Sequence, residues 1–346
     1  MSDFAARLLH WFDVSGRHDL PWQHPRTPYR VWLSEIMLQQ TQVQTVVPYF
    51  ERFVAALPVI RALAAADLDR VLALWSGLGY YARARNLHAT ARLCVERHAG
   101  ELPADFGALC ALPGIGRSTA GAILAQAHGQ RLAILDGNVK RVLCRHAGVD
   151  GWPGSTAVEK ALWTVAEARL PDERLADYSQ AIMDFGATLC TRHDPACVLC
   201  PVQSDCSALA QGRVDALPKA RPGKPLPERR TLMLVLLDQG RVLLSRRPPA
   251  GVWAGLWSLP ETADHDEARA FVSRHTAADF DANVPLAVYE HGFSHYKLHI
   301  APLLWRAAIP AGSRVDDDDA HRWHPLDRLD DVGLPAPVRK LLETLA

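Results

Sequence analysis

The residues of this 346-residue chain whose types and spacing can do chemistry are two carboxylates, a glycine turn and four closely spaced cysteines. Glu35 lies within Val31-Trp-Leu-Ser-Glu-Ile-Met-Leu38, a poor neighbourhood for a charge. Burial there would raise its pKa and keep it protonated near neutrality, the state a general acid needs. Helical periodicity alone also allows a solvent-facing Glu35. Asp136 precedes the amphipathic run Val139-Lys-Arg-Val-Leu143. A carboxylate at that position caps a helix, and the helix dipole is expected to keep it ionised, with a depressed pKa. Cys190-x6-Cys197-x2-Cys200-x5-Cys206 is a metal-ligand pattern, and four such thiolates suit zinc or an iron–sulfur cluster. Of the seven cysteines, Cys94, Cys110 and Cys144 lie in mostly apolar helical contexts and read as core residues.

The elements around these residues follow from glycine placement and apolar spacing. Pro113-Gly114-Ile115-Gly116 is a tight turn, with apolar residues at helical spacing before it (Phe106, Leu109, Cys110) and after it (Ala120, Ile123, Leu124). That is a helix, a glycine hairpin and a second helix whose N-terminal amides favour a phosphate. Residues 2–14 form a short amphipathic helix, 18–28 a loop containing Pro21-Trp22, and 29–38 a helix. The polar cluster Gln39-Gln40-Thr41-Gln42 at its end either terminates it in solvent or contacts base edges. Gly77 and Gly79 form a loop presenting Leu78 and Tyr80 ahead of a helix with Arg83 and Arg85, a mixture suited to stacking on bases and pairing with phosphates. Tyr81 reads as a core residue.

Leu112-Pro-Gly-Ile-Gly-Arg-Ser-Thr-Ala, followed by an aspartate opening a helix, resembles the helix-hairpin-helix glycosylase superfamily that includes endonuclease III. Trp32-Leu-Ser-Glu-Ile-Met-Leu-Gln-Gln-Thr-Gln42 and Leu74-Trp-Ser-Gly-Leu-Gly-Tyr-Tyr-Ala-Arg-Ala-Arg-Asn86 resemble the adenine DNA glycosylases of the MutY family. The resemblance implies that Glu35 is the general acid and that Asp136 stabilises an oxocarbenium-like sugar, with Asn138 and Lys140 orienting Asp136 and the DNA backbone. It implies DNA contacts from Gln40, Thr41, Leu78, Tyr80, Gly114, Gly116, Ser118 and Lys140, with Tyr80 inserted into the duplex. Trp22 and Gln180 are implied to approach the extruded adenine. The cysteine spacing matches that family's loop for one four-iron, four-sulfur (4Fe-4S) cluster held by Cys190, Cys197, Cys200 and Cys206. Endonuclease III carries a lysine nucleophile directly after Gly-x-Gly-Arg, whereas this chain has Ser118, so hydrolysis without strand cleavage is expected. The rival reading, a bifunctional glycosylase and lyase acting on another lesion, is disfavoured by that serine.

From Thr231 the texture changes. Leu232-Met-Leu-Val-Leu-Leu237, a turn at 238–240 and Arg241-Val-Leu-Leu-Ser245 read as a β-hairpin, with further strands at 286–289 and 297–305 and a helix near 266–275. This resembles the MutT-like (Nudix) fold. Gly255-x5-Glu261-x7-Arg269 fits the first half of the Nudix box, but Ala-Phe-Val-Ser-Arg274 follows in place of a magnesium-binding acidic cluster. The fold is therefore expected to read a base rather than hydrolyse nucleotides. Phe293-Ser294-His295 matches the family's motif for 8-oxoguanine, so Ser294 is expected to hydrogen-bond the lesion's altered edge. Asp316–Asp319 reads as a solvated acidic loop.

The expected architecture is thus multidomain. An all-α helix-hairpin-helix glycosylase fold spans 1–217, with the hairpin near 105–128 and the cluster loop at 190–206. A proline-rich basic linker spans 218–230 and an α+β Nudix-like domain spans 231–346. Thirty-eight basic residues balance 38 acidic ones, so DNA binding must rest on local patches and backbone amides rather than on net charge. With no run of 18 apolar residues and no signal-peptide pattern, the chain is expected to be cytoplasmic and nucleoid-associated, free of the membrane and monomeric. Its expected partner is double-stranded DNA holding adenine opposite 8-oxoguanine.

Overall fold

The computed structural model describes residues 3–223, 225–276, 278–306 and 320–345. In chain order the helices are α1 (Asp3–Ser15), α2 (Pro28–Leu38), α3 (Val43–Ala56), α4 (Ile60–Ala65), α5 (Leu68–Leu74), α6 (Ala82–Arg97), α7 (Phe106–Cys110), α8 (Arg117–His128), α9 (Gly137–Ala147), α10 (Thr156–Ala168), α11 (Leu175–Thr188) and α12 (Ser207–Ala210). Strands β1 (Glu228–Asp238), β2 (Arg241–Arg246), β3 (Trp257–Ser258) and β4 (Glu261–Thr262) follow, then α13 (His265–His275). The chain closes with β5 (Val284–Pro285), β6 (Tyr289–Gly292), β7 (Lys297–Arg306), β8 (His321–Pro325) and α14 (Ala336–Glu343). No helix among the described residues is long and apolar enough to cross a membrane.

Two compact units emerge, and they do not follow the chain in simple order. The first comprises residues 1–65 and 86–223; the second joins residues 66–85 to residues 224–346. The short segment holding α5 and the Tyr80 loop therefore belongs with the C-terminal fold, an arrangement that local patterns along the chain do not reveal.

In the first unit, helix boundaries are set by side chains. Thr27 caps α2 by accepting the Arg30 amide, with Pro28 opening the helix. Asp105 caps α7 through the Ala108 amide at 2.8 Å. The core joins α1, α9, α10 and α11 through Phe4, Leu8, Phe12, Val139, Leu143, Leu162, Ile182 and Phe185. Each such side chain contributes about 1.5–3 kcal/mol by leaving water. Cys94 and Cys144 are buried as expected, but Cys110 is exposed, because the five-residue α7 turns it outward.

The second unit is a mixed sheet ordered β3-β2-β1-β7-β5, with β4 against β1, β6 against β7 and β8 against β2. The central pair β1–β7 is parallel, in register from Glu228 with Lys297 to Leu237 with Arg306. Both faces of β1 are covered, which is why its run 232–237 is continuously apolar. Met233, Val235 and Leu237 pack on one side with Leu326, Val338 and Leu342, while Leu234 and Leu236 pack on the other with Ala268 and Val272. The hairpin at 238–240 forms as expected. Two boundaries differ. Strand β1 begins at Glu228, because pairing with β7 draws in the last linker residues. The expected strand at 286–289 splits, with pairing at 284–285 and again at 289–292. Asp316–Asp319 lie outside the described residues.

Candidate active site

Glu35 sits on the third turn of α2, a helix whose residues 31–34, 36 and 37 are all buried. It is half-buried itself. Its Oε1 accepts a hydrogen bond from Gln126 Nε2 of α8 at 3.2 Å. Burial first, and the neighbouring Asp136 carboxylate second, push its pKa from 4.5 up to about 8, against the opposing effect of the Gln126 bond. Glu35 therefore does not face solvent freely, and its half-buried setting favours the protonated carboxyl. Gln126 was not anticipated, although a glutamine in the otherwise apolar Ala-Ile-Leu-Ala-Gln-Ala127 was a legible signal.

Asp136 is the N-cap of α9, its Oδ1 accepting the Val139 amide at 2.7 Å. The expectation of a depressed pKa is not met. Burial raises it, outweighing the Val139 and Asn138 backbone donors and the nearby Arg141 and Lys140 charges. Within the pair, Asp136 has two amides and two cations favouring its anion, while Glu35 has a single amide side chain. Asp136 therefore ionises first, and Glu35 keeps its proton.

The segment leading into Asp136 lies tight against α8. A Cβ on Gly121 would meet the Ala133 carbonyl oxygen at 2.5 Å, so only glycine permits this approach. Ser118 Oγ accepts the Leu135 amide at 2.9 Å, so this side chain anchors the backbone before Asp136. Asn138 Oδ1 accepts from Arg141, which also donates to the carbonyls of Cys190 and Gly186. Lys140 pairs with Glu159 at 2.6 Å and does not orient Asp136 directly.

At the hairpin, Gly114 has φ +78, and a Cβ there would lie 2.9 Å from the Asn86 Cβ. Gly116 departs from expectation. As the N-cap of α8 it takes φ −91 and ψ 176, extended backbone open to any residue. Its surroundings are empty within 4 Å of a would-be Cβ, leaving the helix N-terminus accessible.

Trp22 is buried against Phe50, ring centroids 5.4 Å apart. Gln180 is buried, donating to Asp184 Oδ1 at 2.7 Å, while its own Oε1 has no hydrogen-bond partner among the described residues. Asp184 is in turn held by the Arg17 backbone amide and guanidinium, and Gln23 donates to the Arg17 carbonyl. An orphaned buried acceptor beside a fixed network is a position that awaits a donor. Gln40 is exposed at φ +60, and Thr41 is half-buried beside it.

The four loop cysteines are all free thiols, half-buried on one loop. Burial, then the other three thiols, push Cys200 up to about 11, and burial, then Cys190 and Cys206, raise Cys197. Arg145 is buried and donates to the carbonyls of Thr191, Arg192, Val214 and Leu217, with Cys190 Sγ 3.4 Å away. Four cysteines on one loop beside a buried guanidinium fit a group held by thiolates, such as an iron–sulfur cluster. Among the described residues, no set of three ligating side chains is already drawn together tightly enough to hold a metal ion.

Within the second unit, Tyr80 is 52% exposed at φ +49, whereas Leu78 is only 5% exposed. The loop thus presents Tyr80 alone. Tyr81 is buried and donates to the Leu334 carbonyl at 2.7 Å. Arg83 and Arg85 are not offered to phosphates as their spacing suggested: Arg83 donates to the Leu78 and Gly79 carbonyls, and Arg85 to that of Ala254. Phe293-Ser294-His295 forms the turn between β6 and β7, closed by the Phe293 amide on the Tyr296 carbonyl at 2.8 Å. Phe293 is flanked by Trp253, His291 and Tyr296, while Ser294 and His295 are exposed. Glu261 is ion-paired to Arg247 at 2.7 Å, and Arg269 to Asp281.

Residues 33–168 match the HhH-GPD superfamily of base excision DNA repair proteins, and residues 231–344 match the NUDIX domain. An adenine DNA glycosylase of Buchnera aphidicola subsp. Acyrthosiphon pisum is 36% identical over 341 residues, 98% of this chain and 97% of that protein. The human adenine DNA glycosylase is 38% identical over 74% of this chain and 57% of its own length. Among solved structures, a thermostable thymine-DNA glycosylase superimposes with a TM-score of 0.53 at 27% identity, covering 60% of this chain and 95% of its own. A non-covalent endonuclease III–DNA complex shares the helical fold, with a TM-score of 0.52 at 23% identity, over 60% of this chain and 94% of its own. Joining a helix-hairpin-helix glycosylase unit to a Nudix-like one in a single chain, the protein belongs to the adenine DNA glycosylase (MutY) family of base excision repair.

Proposed function

We propose that this chain hydrolyses the N-glycosidic bond of adenine opposite 8-oxoguanine or guanine in duplex DNA, acting as a monomer and leaving the strand intact. The observation that carries the reading is the carboxyl pair, in which burial and the Asp136 charge hold the proton on Glu35 while two backbone amides and two nearby cations favour the anion of Asp136. The adenine leaves the stack at a cost of a few kcal/mol, smaller for a mispair. The orphaned Gln180 Oε1 accepts from its exocyclic amine, and Trp22 walls the pocket. Glu35 passes its proton to a purine ring nitrogen, and the C1′–N9 bond breaks with its electron pair going to the base. Asp136, as the anion, stabilises the cationic sugar. Water then adds to C1′, and Glu35 recovers a proton.

The open N-terminus of α8 at Gly116, with the Gly114 turn, holds a phosphate. Gln40, Thr41 and the exposed Tyr80 contact the duplex, and Ser294 contacts the 8-oxoguanine edge. Lys140, engaged by Glu159, is no free amine for a Schiff base, and Ser118 stands where a lysine nucleophile would be needed. Cys190, Cys197, Cys200 and Cys206 would hold a 4Fe-4S cluster, which when bound supplies a rigid cross-link of the 190–206 loop. The Nudix-like unit is taken to read a base rather than hydrolyse nucleotides, since Ala270-Phe-Val-Ser-Arg274 stands in place of a magnesium-binding acidic cluster and Glu261 is paired with Arg247. Substitution tests the assignment: Glu35→Gln and Asp136→Asn are each expected to abolish excision of adenine opposite 8-oxoguanine while duplex binding persists. Near-normal single-turnover rates in either variant would remove that residue from its role.

A further inference from the structure

The loop at 247–256 touches two features of the second unit that the proposed function uses separately. On one side, Trp253 adopts φ +56 and sets its ring 5.2 Å from Phe293 and 5.5 Å from His291, bracing the turn that carries Ser294. On the other, the next residue, Ala254, is 1% exposed and accepts a hydrogen bond from Arg85. The loop between is stiff. Its own backbone closes it, Gly255 amide on Pro248 carbonyl, Leu256 on Trp253 and Arg247 on Leu256.

Arg85 lies in the first turn of α6, and the residue two positions before that helix is Tyr80. The Tyr80 loop is itself over-determined, since Trp75 Nε1 and Arg83 both bind the Gly79 carbonyl. The rest of the segment is fastened to the same sheet. Asp69 accepts from Arg246 at 2.7 Å and from Trp257 Nε1 at 3.2 Å, and Tyr81 binds the Leu334 carbonyl. Tyr80 and Trp253 are both large residues held in left-handed backbone, a strained conformation that persists only where the surroundings enforce it. The Arg85–Ala254 hydrogen bond joins the helix that follows Tyr80 to the backbone next to Trp253.

We infer that Arg85 is a positioning residue that couples the lesion-reading turn to the duplex-inserting Tyr80 loop. The inference rests on the proposed roles of Ser294 and Tyr80, and goes beyond them by assigning how one informs the other. An 8-oxoguanine seated against Ser294 fixes the Phe293–Trp253 stack. The 254–255 backbone then holds Arg85, and the Tyr80 loop is set for insertion. With guanine opposite adenine, the turn gains no such contact and the Tyr80 loop is less often set.

The test is single-turnover adenine excision by the full-length holoprotein on two duplexes, with 8-oxoguanine or guanine opposite the adenine. Arg85→Met keeps the aliphatic stem and removes the donor. It is expected to lower the rate ratio between the two duplexes about fivefold, chiefly by slowing the 8-oxoguanine duplex. Arg85→Lys, which keeps a donor, is expected to restore part of the ratio. In the Arg85→Met/Ser294→Ala double variant the loss of ratio should not exceed that of Ser294→Ala alone, because both substitutions break one chain of contacts. A 2-aminopurine beside the lesion reports Tyr80 insertion directly, and its fluorescence change should shrink in Arg85→Met on the 8-oxoguanine duplex alone. Equal slowing on both duplexes, additive losses in the double variant, or an unchanged ratio in Arg85→Met each overturn the coupling. A wild-type protein without preference for 8-oxoguanine overturns the underlying functional reading as well, so the two failures are distinct.

Discussion

Glu35→Gln should make the protein more stable, and increasingly so as pH rises. In the folded chain, burial and Asp136 hold the Glu35 carboxyl at about 8 rather than 4.5. At 1.36 kcal/mol per pH unit, that range corresponds to ~5 kcal/mol favouring the protonated form. A folded-state pKa raised above the unfolded value gives a contribution fully present below 4.5 and lost as pH climbs through about 8, because unfolding then releases a proton. Glutamine has no proton to lose and keeps the Gln126 partner. The stability difference between Glu35→Gln and wild type should therefore widen by up to ~5 kcal/mol between pH 4.5 and pH 8 and then level off. For a unit of this size that corresponds to roughly 10 °C or more in melting temperature. Denaturant unfolding of both holoproteins at several pH values, followed by tryptophan fluorescence, measures it. A difference that stays constant across this window would refute the buried, proton-holding Glu35.

The remaining predictions concern catalysis and DNA. Asp136→Asn keeps a side-chain acceptor for the Val139 amide but removes the charge facing the sugar, so excision should be abolished, a loss of at least about 10²–10³, with little loss of duplex affinity. Loss of affinity in proportion would instead make Asp136 a binding residue. Removing that carboxylate should also shift the Glu35 pKa downward, because its charge raises it; carboxyl infrared titration of the variant would show no shift if the two groups were independent. Gly114→Ala places a Cβ 2.9 Å from Asn86 in left-handed backbone, and should weaken duplex binding at least ~10-fold through the distorted hairpin. Unchanged binding in a filter or anisotropy assay would remove the hairpin from the phosphate site.

The glycine hairpin, the Asp136 cap and the Nudix-like hairpin were legible because each depends on local chemistry: a turn, a cap, an alternation of apolar residues. Glu35 was not settled by periodicity, since helix spacing says which residues share a face but not whether α8 covers that face. Gln126 answers it, from 91 positions away. Asp136 shows the opposite failure. The cap was foreseen, but the local donors were outweighed by desolvation that only the tertiary packing creates. Arg83 and Arg85 looked like phosphate ligands because composition cannot distinguish a cation facing solvent from one satisfying buried carbonyls. Their partners, and the membership of residues 66–85 in the C-terminal unit, are contacts between distant parts of the chain. Lys140 likewise depends on Glu159 across a turn of packing.

The central claim, hydrolytic removal of adenine without cleavage of the strand, is tested most directly by one assay. A duplex with a single adenine opposite 8-oxoguanine is incubated with excess holoprotein, and the products are resolved with and without alkali. Strand breaks appearing only after alkali, with free adenine released, are the predicted result. Breaks without alkali would contradict it, since they require the amine nucleophile that Ser118 replaces.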